Sequence, residues 1–208
     1  RANPLGALFA LKRYPSVAGL IGALTFIYLA SHAIQGTWTY FSMEKFNWSE
    51  SMVGYSLGLV GIMSALVQGL LIRIIIPKIG EYNTMITGII FNICGCLLFS
   101  MASEGWMLLC FIIPYSLGGI AGPAIQGILS NQIPDNEQGQ LQGALTSMMA
   151  ATGIIGPLMM TSIFAYFTAE NAPIYFPGAP FVTGAVLVAI CLFLILRKGS
   201  KYTTGNPI

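Results

Sequence analysis

Six apolar runs fix what this chain can become. They fall at about residues 17–41, 52–76, 84–102, 106–130, 141–167 and 181–196, and no acid or base sits in the middle of any of them. A helix needs about 20 such residues to cross the ~30 Å hydrocarbon core of a bilayer. In lipid each backbone polar group has to be satisfied within its own segment, which favours helices. The chain is 55% hydrophobic and 8% charged, where soluble domains carry about 25% charged residues. The expectation is an all-α membrane protein, with residues 1–208 forming a single domain of six transmembrane helices.

The basic residues test that topology. Arg1, Lys12 and Arg13 precede the first span, Arg73 and Lys78 close the second, and Arg197, Lys198 and Lys201 follow the sixth. With six spans these all fall on one side, and Lys45 alone falls on the other. The positive-inside rule then puts both termini in the cytoplasm. Three helices followed by three of inverted orientation would also suit a 3+3 inverted repeat, although no residue-by-residue repeat is visible. A net charge of +2 with no Lys/Arg run leaves no phosphate track, so nucleic acid is not an expected partner. Cys94, Cys96, Cys110 and Cys191 lie in apolar runs at spacings that match no zinc or redox motif, and read as free thiols packed in the membrane. The chain opens on Arg1 with neither Met nor a secretory leader, which reads as a portion of a longer protein.

The stretch 116–158 organises the rest. It contains two apolar runs, each with a Gly-Pro pair (Gly122-Pro123 and Gly156-Pro157), joined by a polar loop at 131–140. Proline inside a helix costs about 3 kcal/mol or more in water. In a bundle within lipid the freed carbonyls can be re-satisfied, and glycines let backbones approach. Two kinked helices packed through glycine faces are expected. Ser49 is expected to cap the second helix, and Asp135 with Gln138 to form a capping box for the fifth. Trp106, Tyr166 and Tyr175 fall near membrane interfaces.

With charges absent from the spans, neutral polar groups are the candidates for function. On the first span Tyr28, His32, Gln35 and Thr39 share a face, with Trp38 beside it. They read equally as a cavity wall and as interhelical packing. His32 is the only histidine, and a lone histidine is more often structural than titrating. Ser64 and Gln68 on the second span and Asn92 on the third read first as packing or helix glue. On the fourth span Tyr115, Gly119, Gly122 and Gln126 share a face, and Gln126 is the foremost candidate for substrate contact. Gln142, Thr146, Met149 and Gly153 do the same on the fifth. There is no nucleophile–base pair, phosphate loop or metal-ligand cluster, so no enzyme activity, cofactor or resident metal is expected.

The segment Gly69-Leu70-Leu71-Ile72-Arg73-Ile74-Ile75-Ile76-Pro77-Lys78-Ile79-Gly80-Glu81 resembles the G-x-L-x-[DR]-x-x-x-x-[RK]-x-G-[RE] loop of the major facilitator superfamily. Phe46-Asn47-Trp48, Ser103-Glu104-Gly105-Trp106, Pro123-Ala124-Ile125-Gln126-Gly127, Gln138-Gly139-Gln140-Leu141-Gln142-Gly143 and Ala151-Thr152-Gly153-Ile154-Ile155-Gly156-Pro157-Leu158 are similar to the C-terminal half of its tetracycline-efflux group. The resemblance implies two six-helix halves working by alternating access, with this chain supplying spans seven to twelve. It implies exchange of an amphipathic, tetracycline-like drug for protons across the inner membrane, with the N-terminal six-helix half as partner. It places Tyr28, His32, Gln35, Trp38, Tyr115 and Gln126 on or near the substrate path, and Arg73 and Lys78 in a gating loop. Some tetracycline exporters carry a histidine where this chain has Ser64 and an aspartate where it has Asn92. Asparagine cannot take up a proton, so coupling would reside in acids of the other half. Export of sugars or metabolites is a second reading. A third is a non-transporting scaffold that dimerises through its exposed half-to-half face.

Overall fold

The structure, a computed structural model, describes residues 15–197. Arg1, Lys12, Arg13, Lys198 and Lys201, on which part of the charge argument rests, lie outside the described residues. Within them all regular structure is helical. Helix α1 runs over Pro15–Phe46 among the described residues. It ends where Asn47 turns left-handed, at φ 52°. Helix α2 (Glu50–Leu66) follows, and the Ser49 hydroxyl caps it by accepting from the Met52 N–H at 3.3 Å. A π-turn (Val67–Leu71) leads into α3 (Ile72–Met101). Helix α4 (Gly105–Leu117), a 3-10 turn (Gly118–Ile120) and α5 (Ala121–Asn131) form one long rod. After a second 3-10 turn (Asp135–Glu137) come α6 (Gln138–Thr168) and α7 (Ala179–Arg197).

Among the described residues five helical runs are long and apolar enough to cross a membrane, and one of them, Glu50–Met101, has 52 residues. At 1.5 Å per residue a straight helix of that length would reach about 78 Å, more than twice the hydrocarbon core. The run is broken at Gly80, whose φ of 80° and ψ of 163° are extended and left-handed. Glycine alone adopts such a backbone without strain. Packing elsewhere shows that the chain reverses there. Contacts between α1 and α6 rise together along both helices: Thr25 on Met148 at 2.8 Å, His32 on Gly156, Gly36 facing Pro157, and the Tyr40 ring 6.2 Å from Phe164. The two helices therefore run parallel, which requires an even number of reversals between them. The breaks at 47–49, 102–104 and 131–137 give three, and Gly80 supplies the fourth. The described residues thus form six transmembrane helices, the second and third meeting at one residue. Arg73 and Lys78 accordingly stand exposed on a helix, not in the loop expected there, because the apolar run 72–76 carries the helix past Pro77 up to the break.

Two large clusters and a small one around Val67 and Ile120 fill the bundle. One lies at the Val17 end and contains Leu24, Ile125, Leu141 and Val188; the other, at the far end, contains Trp38, Phe99, Leu108 and Phe181. The third and fourth crossings meet backbone to backbone. A Cβ at Gly95 would lie 2.6 Å from Tyr115 Cα, one at Gly118 2.8 Å from the Asn92 nitrogen, and one at Gly88 2.6 Å from the Ala121 nitrogen. Those pairs run in opposite directions along the two helices, as antiparallel neighbours must. Small residues give this approach, and lipid supplies no hydrophobic force to replace it.

The two Gly-Pro pairs behave differently. Gly156 packs against the His32 ring, while a Cβ at Gly122 would meet nothing within 4 Å. Helix α6 continues through Pro157 without change, whereas the fourth crossing tightens into the 3-10 turn just before Pro123. The capping box expected at Asp135 is replaced. The Gln138 amide donates instead to the carbonyls of Ser130 at 2.8 Å and Ile133 at 2.9 Å, closing the end of α5. Of the four thiols, Cys96 and Cys191 are buried, but Cys94 and Cys110 are exposed on outward helix faces.

Candidate functional site

A line of neutral polar groups runs across the middle of the bundle on the first, second and fourth crossings. Gln126 is exposed on α5 and comes within hydrogen-bonding reach of the Tyr28 hydroxyl on α1. Two turns further along α1, Gln35 is exposed, and its amide donates to the Ser31 hydroxyl at 3.2 Å. Ser31 in turn donates to the Tyr28 carbonyl at 2.7 Å. His32 is half-buried with its ring against the bare Gly156 backbone, and it has no hydrogen-bond partner among the described residues. Gln68, within the π-turn, is exposed, and its amide would lie 3.5 Å from a Cβ placed on Gly119. π-turns of this kind occur often at functional sites.

Two residues expected on this line lie elsewhere. Trp38 is 1% exposed. Its indole N–H donates to the Ser56 hydroxyl at 2.9 Å, and its ring makes edge contacts with Phe99 at 5.0 Å and Phe181 at 6.4 Å. Such pairs hold a core together, and no face of the ring is left for a ligand. Tyr115 packs on Phe99 at 5.4 Å, on the side of the fourth crossing that faces the third. The reason is rotational: Trp38 stands about 60° round the helix from the Gln35 stripe, far enough to point inward. Asn92 is likewise committed, with its backbone against Gly118 and its side-chain oxygen 3.8 Å from the Cys96 thiol. Gln68, read from sequence first as packing, is instead exposed beside Gly119. Its only signal was a polar side chain near one end of an apolar run, and the π-turn that turns it toward Gly119 has no sequence signature.

Chemically the line can donate and accept hydrogen bonds without charge. Placing neutral amides and hydroxyls in a low-dielectric setting costs far less than placing ions there. It therefore suits a molecule with one polar edge and an apolar body. At the end where the fourth crossing finishes, the Asn131 amide donates to both Glu81 oxygens, at 3.4 and 3.2 Å, and ties the third and fourth crossings together.

The family model described as Major Facilitator Superfamily matches residues 17–207. The chain belongs to the Major Facilitator Superfamily. Among curated relatives it is 33% identical to the class C tetracycline resistance protein of Escherichia coli, over 95% of this chain and 48% of that protein. It is 36% identical to the class E tetracycline resistance protein of Escherichia coli, over 92% of this chain and 46% of that one. The hippocampus abundant transcript-like protein 1 of Homo sapiens is 22% identical over the whole chain and 44% of its own length. The chain thus spans about half the length of the curated relatives it matches. The facilitator fold accounts for the six-helix unit, and the matching names attach to bacterial resistance proteins and to a human protein alike.

Proposed function

We propose that this chain is the C-terminal half of a secondary transporter that exports an amphipathic, tetracycline-like drug in exchange for protons by alternating access. The observation that carries the reading is the neutral polar line of Tyr28, Gln126, Gln35 and Gln68 along an otherwise apolar bundle. The names of the 33–36% identical relatives support the drug class. Tyr28 and Gln126 hold the polar edge of the drug, Gln68 and Gln35 extend the wall, and His32 borders it. The N-terminal six-helix half supplies the facing wall. It covers the second and fifth crossings, where large side chains such as Ile62, Leu66, Ile154 and Leu158 are exposed. The proton is carried by acids of that half, since the acids among the described residues lie at helix ends. Rocking is helped by two helical irregularities set against each other, the π-turn at Val67–Leu71 and the 3-10 turn at Gly118–Ile120, which meet through Val67 and Ile120. The protein sits in the inner membrane with both termini cytoplasmic, and Arg73 and Lys78 face the cytoplasm beside the Gly80 reversal.

The test is drug uptake by everted vesicles containing the full-length protein, driven by an imposed pH gradient. Uptake should occur, and Gln126→Ala should raise KM about tenfold, the loss of one or two hydrogen bonds, with little change in protein amount. Absence of gradient-driven uptake of any tetracycline would overturn the reading. Uptake of a sugar instead would make this a metabolite carrier, and a stable dimer of the isolated half would favour self-association of the exposed face.

A further inference from the structure

Where the first and fifth crossings emerge, at the end remote from Glu81 and Asn131, there is an open depression of about 430 Å³ lined by Tyr40, Met43, Glu44, Asn47 and Phe164. That volume falls in the range of small-molecule sites, about 300–1,000 Å³. Two of its walls are aromatic: the Tyr40 and Phe164 rings are 6.2 Å apart and inclined at 37°. The third feature is an acid. Glu44 accepts a hydrogen bond from the Tyr175 hydroxyl at 2.8 Å, and a carboxylate has lone pairs for several more. The neighbouring cation does not neutralise it. Lys45 Nζ is turned onto the rings of Phe41 and Phe46, 5.6 Å from each centroid. The same end also carries Glu50, Glu104 and Glu170, all exposed. A carboxylate beside two ring faces and a methionine is the chemistry that holds a cation with an apolar body.

We propose that this depression is a binding site for organic monocations with an aromatic or bulky apolar body, with Glu44 as the counter-charge and Tyr40 and Phe164 as the apolar walls. It is separate from the neutral polar line. The mid-bundle residues take a ligand by hydrogen bonds, whereas this site selects by charge. It stands whether or not the protein exports tetracyclines, because its readout is binding.

The experiment measures equilibrium binding of tetraphenylphosphonium to the purified full-length protein, with neutral triphenylphosphine oxide as control. With its counter-charge removed, Glu44→Gln should weaken tetraphenylphosphonium binding by about tenfold at low salt, and by less at high salt. Glu44→Asp should keep most of the affinity, Phe164→Ala should lose several-fold, and Tyr175→Phe should bind as well as the parent or better. Gln126→Ala should bind unchanged, which keeps this result distinct from failure of the transport reading. The proposal is overturned if Glu44→Gln binds like the parent, if the neutral probe binds as tightly as the cation, or if Gln126→Ala loses as much affinity as Glu44→Gln.

Discussion

The seam between the third and fourth crossings makes a quantitative demand on Gly95. An alanine there would put its Cβ 2.6 Å from Tyr115 Cα, 2.7 Å from Tyr115 Cβ and 3.0 Å from Tyr115 N. Carbon atoms rest at about 3.5–4.0 Å, so the helices would have to part by about 1 Å. A gap of that size forfeits a quarter to a half of each dispersion contact along the seam, and overpacking of this kind costs about 1–3 kcal/mol. Against this stands the greater helix propensity of alanine, worth about 1 kcal/mol over glycine in water. Gly122→Ala controls for that gain. It lies on the fourth crossing, which faces Gly95, and its Cβ would meet nothing within 4 Å. The full-length protein should be unfolded reversibly in mixed micelles by titrating denaturing detergent, followed by circular dichroism. Gly95→Ala should be less stable than Gly122→Ala by about 1–3 kcal/mol. Because the obstacle is backbone, Tyr115→Ala should not rescue it. Equal stability of the two glycine variants, or full rescue by Tyr115→Ala, would refute the close-packed seam.

Ser56→Ala leaves the buried Trp38 N–H without its partner and should cost about 1–3 kcal/mol of stability while leaving drug KM unchanged; a KM effect without a stability loss would return Trp38 to the substrate path. Gly156→Ala displaces the His32 ring and should alter drug KM more than Gly122→Ala does, as measured in the same vesicles. In the loop between the last two helices the Tyr175 hydroxyl has its pKa raised, by burial first and then by its hydrogen bond to Glu44 and that carboxylate's charge. A raised value in the folded state means that the loop contact is fully present below the ordinary tyrosine range and is lost as pH rises through the folded value. Ultraviolet difference absorbance should therefore show a late-titrating tyrosine that is missing in Tyr175→Phe, and Glu44→Gln should bring it back toward the ordinary value.

The six crossings were legible because lipid demands long apolar runs, and these stand out in any sequence. The family was legible in short motifs spread along the chain. The orientation of each helix was much less so. In a soluble helix the polar face marks the outside, but here both the core and the lipid-facing side are apolar, so periodicity leaves rotation open. Trp38 shows the consequence. Its polar partner Ser56 lies on a different helix, and nothing in the sequence says that the two meet. Gly80 shows the converse. The loop motif was recognised around it, yet the turn is a single residue flanked by helix, because the apolar run 72–76 stays helical in the membrane up to the one glycine that can take a left-handed backbone.

The charge layout connects the two candidate sites to one energetic argument. In a low-dielectric bundle an unpaired ion costs several kcal/mol or more, while an amide or hydroxyl that finds a partner costs little. The described mid-bundle residues obey this. Tyr28 meets Gln126, and Gln35 meets Ser31. Full charges are kept to the ends, where Glu81 is held by Asn131 and Glu44 by Tyr175. A ligand entering the middle therefore exchanges its water for hydrogen bonds that are already partly satisfied, which gives weak, adaptable binding. A cation at the Glu44 end meets a fixed counter-charge in partial contact with water, which gives binding that salt can tune. The two sites should thus respond in opposite ways to ionic strength: hydrogen-bonded occupancy of the line will hold, and occupancy beside Glu44 will fall.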